Sequence, residues 1–336
     1  MDKTQKILVI GASGYVGSRL VGELIRKGYC VRAAGRSFQI LKQRPWANHP
    51  QVELTQFDIL NHDSLLDAAK GCAVVYYLVH SMSLGQKNFA QADRLAAQNM
   101  IRVAQNVGLK RIIYLGGLGN PQSRLSKHLR SRFEVSDILQ HGKIPATTLR
   151  AAMIIGTGSV SFEILRHLVE RLSVMVTPLW VNTQSQPIAI HNVLDYLTGC
   201  LESEETSEEV LDIGGPDILS YRQLMDIYAE VAELPKRLII SIPFLTPRLS
   251  SYWVNWVTPI PAVFTRPLAE SLRNPLVCEN TRIQELIPAK LLSCREAIRM
   301  ALADPVTWQQ NSSADKPVIP PVESKYPGDP VWVGGK

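Results

Sequence analysis

The sequence predicts an α/β protein with a doubly wound parallel sheet and a smaller, mostly helical C-terminal lobe. Three observations carry this. The short apolar run Ile7-Leu8-Val9-Ile10 leads directly into the turn Gly11-Ala12-Ser13-Gly14-Tyr15-Val16-Gly17. Strand-like and helix-like segments then alternate up to Gly158, the pattern of βαβ units. Beyond Gly158 that rhythm breaks.

The first run is apolar at every position, as in a strand buried on both faces. Residues 15 to 27 follow with helical spacing through Val16, Leu20, Leu24 and Ile25, and Gly28-Tyr29 ends that helix. Strands are then expected at 30–34, 52–57, 73–79, 111–115 and 146–155, and helices at 62–70, 87–107 and 125–141. After Gly158 a helix at 160–172 precedes an irregular stretch containing Pro178 and Pro187. A strand near 187–190, a helix at 192–202, a strand at 209–213 and a helix at 220–232 come next. Residues 243–304 read as mostly helical, and 307–336 as a Pro-rich, linker-like tail. The division is thus 1–158 for a Rossmann-type domain, 159–306 for a covering substrate lobe whose strands partly join the main fold, and 307–336 for the tail.

Composition narrows the function classes. The chain has 336 residues, 46% hydrophobic and 20% charged, an ordinary globular balance. Its net charge of +6 is spread out. It lacks the dense basic stripe of a nucleic-acid binder and suits an anionic small molecule. Cys30, Cys72, Cys200, Cys278 and Cys294 show no metal-ligand spacing, so structural thiols are favoured over a thiol nucleophile. With no signal pattern and no apolar run near the ~20 residues of a bilayer span, a cytoplasmic location is expected.

The glycine turn is the strongest functional signal. In a dinucleotide site the first glycine permits the tight turn, the second admits the pyrophosphate and the third lets helix and strand approach, while the helix N-terminus attracts the anion. The spacing here is G-x-x-G-x-x-G rather than G-x-G-x-x-G, and a glycine turn with no ligand is the plain alternative. The second strand ends Ala33-Ala34-Gly35-Arg36-Ser37 without the acid that would take the ribose hydroxyls of NAD(H). Arg36 suits a 2′-phosphate, so NADP(H) is preferred and NAD(H) stays open. Asp58 and Ile59 follow the third strand, where Asp58 could take the adenine amine or cap a turn. Leu78, Val79 and His80 end the fourth strand beside the expected dinucleotide path.

Gly-Ala-Ser-Gly-Tyr-Val-Gly resembles the opening of the atypical and extended short-chain dehydrogenases/reductases, including NmrA-like proteins. Tyr77-Leu78-Val79-His80-Ser81-Met82, Ser126-Lys127-His128-Leu129-Arg130-Ser131-Arg132, Leu149-Arg150-Ala151-Ala152-Met153-Ile154-Ile155-Gly156, and Gly214-Gly215-Pro216 with Leu219-Ser220-Tyr221 resemble the YbjT-type subfamily. The resemblance spans about residues 6 to 305. It implies cofactor contacts at Gly11, Ser13, Gly14, Tyr15, Val16, Gly17, Arg36 and Asp58. Longer relatives continue into a second domain, DUF2867, after a segment like Pro327-Gly328-Asp329-Pro330-Val331-Trp332.

The chemistry departs from the reductase pattern. Such enzymes use Tyr-x-x-x-Lys on the helix after the fifth strand and a Ser at that strand's end. Here His128 takes the Tyr position, Arg132 the Lys position, and Gly116-Gly117 stand where the Ser would be. In one reading His128 donates a proton and Arg132 binds ribose or an anionic substrate. In the other the helix keeps its shape and that catalysis is gone. Arg124, Lys127, Arg130 and Arg132 form either an anion site or a solvated face. His80-Ser81 is a possible substrate contact. Trp253, Trp256 and Phe264 fit core packing first and a hydrophobic pocket or peripheral membrane contact second.

Three functions follow from these residues. The first is an NAD(P)H-dependent oxidoreductase for a small apolar carbonyl or quinone-like acceptor. The second is a non-catalytic NADP(H)-binding redox sensor or assembly factor. A sugar-nucleotide epimerase ranks last because it needs the Tyr. No metal site is expected.

Overall fold

The computed structural model describes residues 2–80, 89–123, 125–242, 257–303 and 319–334. Seven parallel strands form the main sheet: β1 (Lys6–Ile10), β2 (Val31–Gly35), β3 (Val52–Gln56), β4 (Cys72–Tyr77), β5 (Arg111–Gly117), β6 (Ala146–Ala151) and β11 (Val210–Ile213). Their order is β11-β6-β5-β4-β1-β2-β3. The winding reverses between β1 and β4, and the crevice outside the strand C-termini at such a point is where α/β sheets bind ligands. β1 shows why every residue of that first run is apolar. Ile7 and Val9 enter the core on one face, and Leu8 and Ile10 the core on the other.

Helices cover both faces. α1 (Tyr15–Arg26), α2 (Phe38–Gln43) and α7 (Ile190–Glu202) pack on the Ile7 side. α3 (His62–Ala69), α4 (Phe89–Val107) and α5 (Lys127–Gln140) pack on the Leu8 side. A third core joins α6 (Val160–Arg171), α8 (Tyr221–Val231) and the helix Cys294–Leu302. The expected strand at 146–155 is two strands. β6 stops at Ala151, and β7 (Ile154–Ile155) leaves the sheet to pair with β10 (Ile188–Ala189). Two further short strands, β9 (Gln184–Ser185) and β12 (Leu219–Ser220), pair antiparallel.

Sequence reasoning missed a parallel ribbon of β8 (Val174–Pro178) and β13 (Leu238–Ile242). Pro178 and Pro187 mask a five-residue alternation in which Met175 faces the core and Val174 and Val176 face water. Within the described part of 243–304, helices cover Ala262–Ser271, Arg282–Leu286 and Cys294–Leu302. Trp253 and Trp256 lie outside the described residues, and Phe264 is half-buried in Ala262–Ser271.

The linker-like reading fails for residues 319–334. This segment is a strap bound along α1, α2 and α6. Val322, Ser324, Tyr326 and Val333 are buried. Asp329 lies between Arg19 and Arg44, at 2.9 Å and 2.5 Å. The Arg19 guanidinium is also stacked between the rings of Tyr15 (4.7 Å) and Tyr326 (4.3 Å). The strap is a series of turns, closed by Ser324, Asp329 and Val333 N–H groups donating to the Pro321, Tyr326 and Pro330 carbonyls, and its aromatic and apolar side chains bind it down.

Candidate functional site

Gly11 begins the turn at φ +90°, and a Cβ there would meet the Leu78 carbonyl oxygen at 2.9 Å. Gly14 is the N-cap of α1 and supplies no side-chain cap, so the first N–H groups of α1, from Tyr15, Val16 and Gly17, are left for an anion. A Cβ on Gly17 would lie 2.2 Å from the Gly11 carbonyl oxygen, which no rearrangement of side chains relieves. Ser13 stands against the end of β2, where a Cβ on Gly35 would be 3.0 Å from its Oγ. The turn is a tight steric cradle at the uncapped start of α1.

Tyr15 contributes to that cradle through its backbone alone. Its ring packs over Arg19, and a Cβ on Gly156 would fall 2.2 Å from its hydroxyl. Burial raises this phenol's pKa well above 10.0, and the hydroxyl has no hydrogen-bond partner among the described residues. From behind, Arg44 donates to the Ser13 carbonyl and is held by Asp329. The strap thus reaches the phosphate turn through one guanidinium. Burial works to raise the Asp329 pKa, but Arg19 and Arg44 outweigh it and hold the carboxyl below 3.8. Glu323, which accepts from the Thr157 N–H at 2.8 Å, is pushed by burial up to about 7.

Beyond β2 and β3, Arg36, Gln56, Phe57, Asp58 and Ser64 line an open cavity of about 510 Å³. Two of the sequence-predicted residues, Arg36 and Asp58, therefore share one wall. Asp58 also accepts from the Leu60 N–H at 3.0 Å, and its own N–H donates to Ser64 Oγ at 3.1 Å, so it caps its turn while its exposed carboxylate borders the cavity. Ile59 is buried behind it. Leu78 continues β4, its N–H donating to the Ile10 carbonyl at 3.1 Å, and Leu78 and Val79 form the floor under Gly11.

At the other end, His80 after β4 and His128 on α5 meet edge to face, with centroids 6.3 Å apart. Burial first, then the Arg132 charge, lowers the pKa of both, that of His128 to about 3. Both rings are neutral at pH 7, so either can donate or accept a hydrogen bond but neither holds a dischargeable excess proton. Nδ1 of His80 is buried without a hydrogen-bond partner among the described residues. Arg132, one turn along from His128, is half-buried and reaches the Tyr114 hydroxyl at 3.5 Å. Lys127 and Arg130 are exposed, and Ser81, Met82 and Arg124 lie outside the described residues. Ser131 turns inward and donates to Asp93 at 2.8 Å. Sequence reasoning missed Tyr114, a strand residue whose ring stacks edge-on against Tyr77. It also missed Arg19 and Arg44, whose partner lies some 300 residues away.

The five cysteines are free, and burial raises the thiols of Cys72, Cys200, Cys278 and Cys294, the opposite of what a thiolate nucleophile needs. Among the described residues no cluster of His, Cys, Asp and Glu could hold a metal ion, and no helix is long and apolar enough to cross a membrane.

Comparison with known proteins agrees with this geometry. Residues 11–168 match a family described as NAD(P)H-binding. Over 300 residues the chain is 24% identical to the mitochondrial NADH dehydrogenase [ubiquinone] 1 alpha subcomplex subunit 9 of Arabidopsis thaliana, covering 84% of this chain and 74% of that protein. Among solved structures it resembles an NADPH-dependent quinone oxidoreductase of Escherichia coli complexed with NADPH (TM-score 0.70, 16% identity, 87% of this chain and 98% of that one). It also resembles a Citrobacter sp. triphenylmethane reductase complexed with NADP(H) (TM-score 0.70, 20% identity, 88% and 99%). At these identities the solved structures establish the fold.

Proposed function

We propose that this chain, which carries an NAD(P)H-binding domain and shares its fold with reductases solved with NADPH or NADP(H), is an NmrA-like, atypical short-chain dehydrogenase/reductase that acts as an NADP(H)-dependent oxidoreductase on a small apolar carbonyl or quinone-like acceptor. The observation that carries the reading is the cavity beyond β2 and β3, where Arg36 stands with no acid in the NAD(H)-selecting position. There Arg36 meets the 2′-phosphate, Asp58 the adenine amine, and the open N–H groups of α1 the pyrophosphate.

When bound, a reduced nicotinamide supplies hydride. The chain's own residues then orient an acceptor and stabilise the oxygen that gains charge. Arg132 offers a fixed cation for that oxygen. His80 and His128 are neutral walls that accept or donate without changing charge. A quinone-like acceptor that gains two electrons takes its proton from water, which suits a site without a charged acid.

A second reading, a non-catalytic NADP(H)-binding sensor or assembly factor, is favoured by the long alignment with a subunit of a larger complex and by His128 and Arg132 standing at the Tyr and Lys positions. Titration with NADPH and NADH, for the wild type and Arg36→Ala, tests the cofactor half. We expect the substitution to weaken NADPH alone. Oxidation of NADPH with a panel of quinones and apolar carbonyls then separates the two readings. Turnover supports the oxidoreductase, and tight binding without turnover supports the sensor.

A further inference from the structure

Two buried cations behind the glycine turn share one carboxylate. Arg19 is fully buried and Arg44 is 3% exposed. Asp329 bridges them, and among the described residues no second carboxylate lies within ion-pair distance of either. Their other partners are neutral. Arg19 donates to the Thr157 and Ser324 carbonyls at 3.3 Å and 3.0 Å. Arg44 donates to the Pro327 carbonyl at 3.3 Å and to the Ser13 carbonyl. The two acids close by do not restore the balance. Glu163 is matched by Arg166 at 3.6 Å, and Glu323, pushed by burial up to about 7, is only partly ionised at pH 7. The clamp thus keeps a positive charge in surplus away from water, which is costly unless an anion comes to it.

The surplus has a direction. Ser13 directly precedes Gly14, the N-cap of α1, so the Arg44 guanidinium holds the peptide that leads into the open N–H groups of Tyr15, Val16 and Gly17. By fixing that planar unit it fixes the start of the helix, and its charge adds to the positive end of the helix dipole. The strap that brings Asp329 is itself lightly built. Among its described residues there is no helix or strand, and buried and exposed positions interleave. Such a segment opens at lower free energy than a sheet core, which gives it a docked and an open state that a ligand can bias.

Building on the dinucleotide reading, we propose that Arg44 is a positioning residue for the pyrophosphate and that, through Asp329, nucleotide binding and strap docking stabilise each other. The pyrophosphate is the anion that the clamp lacks. The docked strap keeps Arg44 behind Ser13, and by reciprocity a bound nucleotide keeps the strap docked.

Hydrogen exchange of the full chain, followed by mass spectrometry with and without saturating NADPH, tests the coupling. We expect NADPH to slow exchange over residues 319–334 at least about fivefold more than over α8, which packs in the third core. Arg44→Met leaves Asp329 paired with Arg19 and removes the charge behind Ser13. It should weaken NADPH and NADH by the same factor, about tenfold, and abolish the added protection of the strap, and Arg44→Lys should recover part of both. An arginine with a purely structural role would lower the thermal midpoint without changing the nucleotide-dependent protection. Bound NADPH that slows the strap no more than α8 overturns the proposal, even where Arg44→Met does not fold. So does a folded Arg44→Met with wild-type affinity for both nucleotides. Failure of the wild type to bind either nucleotide in a fluorescence titration overturns the dinucleotide reading as well, which distinguishes the two failures.

Discussion

At the β2–β3 end of the crevice, Arg36 and Asp58 line an open cavity of about 510 Å³ where water keeps charges hydrated. At the β4–β5 end, His80 and His128 face each other at 6.3 Å, and burial together with Arg132 keeps both uncharged. The first end sets a cation and a carboxylate at an open surface. The second has its titratable groups switched off, leaving Arg132 to supply positive charge. Under the proposed function, cofactor recognition would fall at the β2–β3 end and proton chemistry at the β4–β5 end, so the two could be altered separately.

Five substitutions would break or sharpen that contrast. Gly17→Val should have the largest effect, since the added carbon atoms collide with the Gly11 carbonyl. NADPH affinity should fall beyond about a thousandfold by fluorescence titration, and binding within tenfold of wild type would show that the cradle is not the phosphate site.

Asp329→Ala comes next. It strands Arg19 and Arg44, both buried, and should cost about 3–5 kcal/mol in denaturant unfolding. Because the folded pKa lies below 3.8, the carboxylate's contribution is complete above the unfolded value and is lost as pH falls through the folded one. The gap between variant and wild type should therefore narrow in acid. Glu323 runs the other way. Its folded pKa of about 7 exceeds 4.5, so wild-type stability falls as pH rises from about 4.5 through 7, and Glu323→Gln should remove that slope.

Arg36→Ala should weaken NADPH about 10- to 100-fold and leave NADH unchanged. Equal losses for both would place Arg36 on the pyrophosphate instead. The smallest effect is expected at His128. Removing a general acid costs about 10²–10⁴ in rate, whereas His128→Asn should change any turnover by no more than about threefold. The His128 ring protons should also stay put in NMR spectra between about pH 5 and pH 8. A titration in that range would restore the acid role.

The wet end was legible because its determinants are local. A strand, three glycines and the residue at the next strand's end sit within about 30 positions, and backbone sterics alone fix their relation. Arg36 and Asp58 could be placed by counting strand ends. The dry end was legible only as residue identities. His80 and His128 lie on different elements, and nothing in either segment announces that they meet or that Tyr114 lies beneath Arg132. The strap was misread because proline content speaks of chain stiffness, whereas docking was decided by Tyr326, Val322 and Asp329 finding partners on α1 and beyond α2.

The ion pair of Asp329 with Arg19 joins residues 310 positions apart, and this gives the molecule a clock. On a ribosome adding about 5–20 residues per second, the glycine turn emerges roughly 15–60 s before the carboxylate that steadies it from behind. The N-terminal strands can collapse in that interval, but two buried guanidiniums wait without their carboxylate. The support that Asp329 gives the glycine turn through Arg44 is therefore acquired late in synthesis. A polypeptide released before residue 329 would carry an intact glycine motif on an unfinished foundation, and cellular quality control would meet it as an unstable chain.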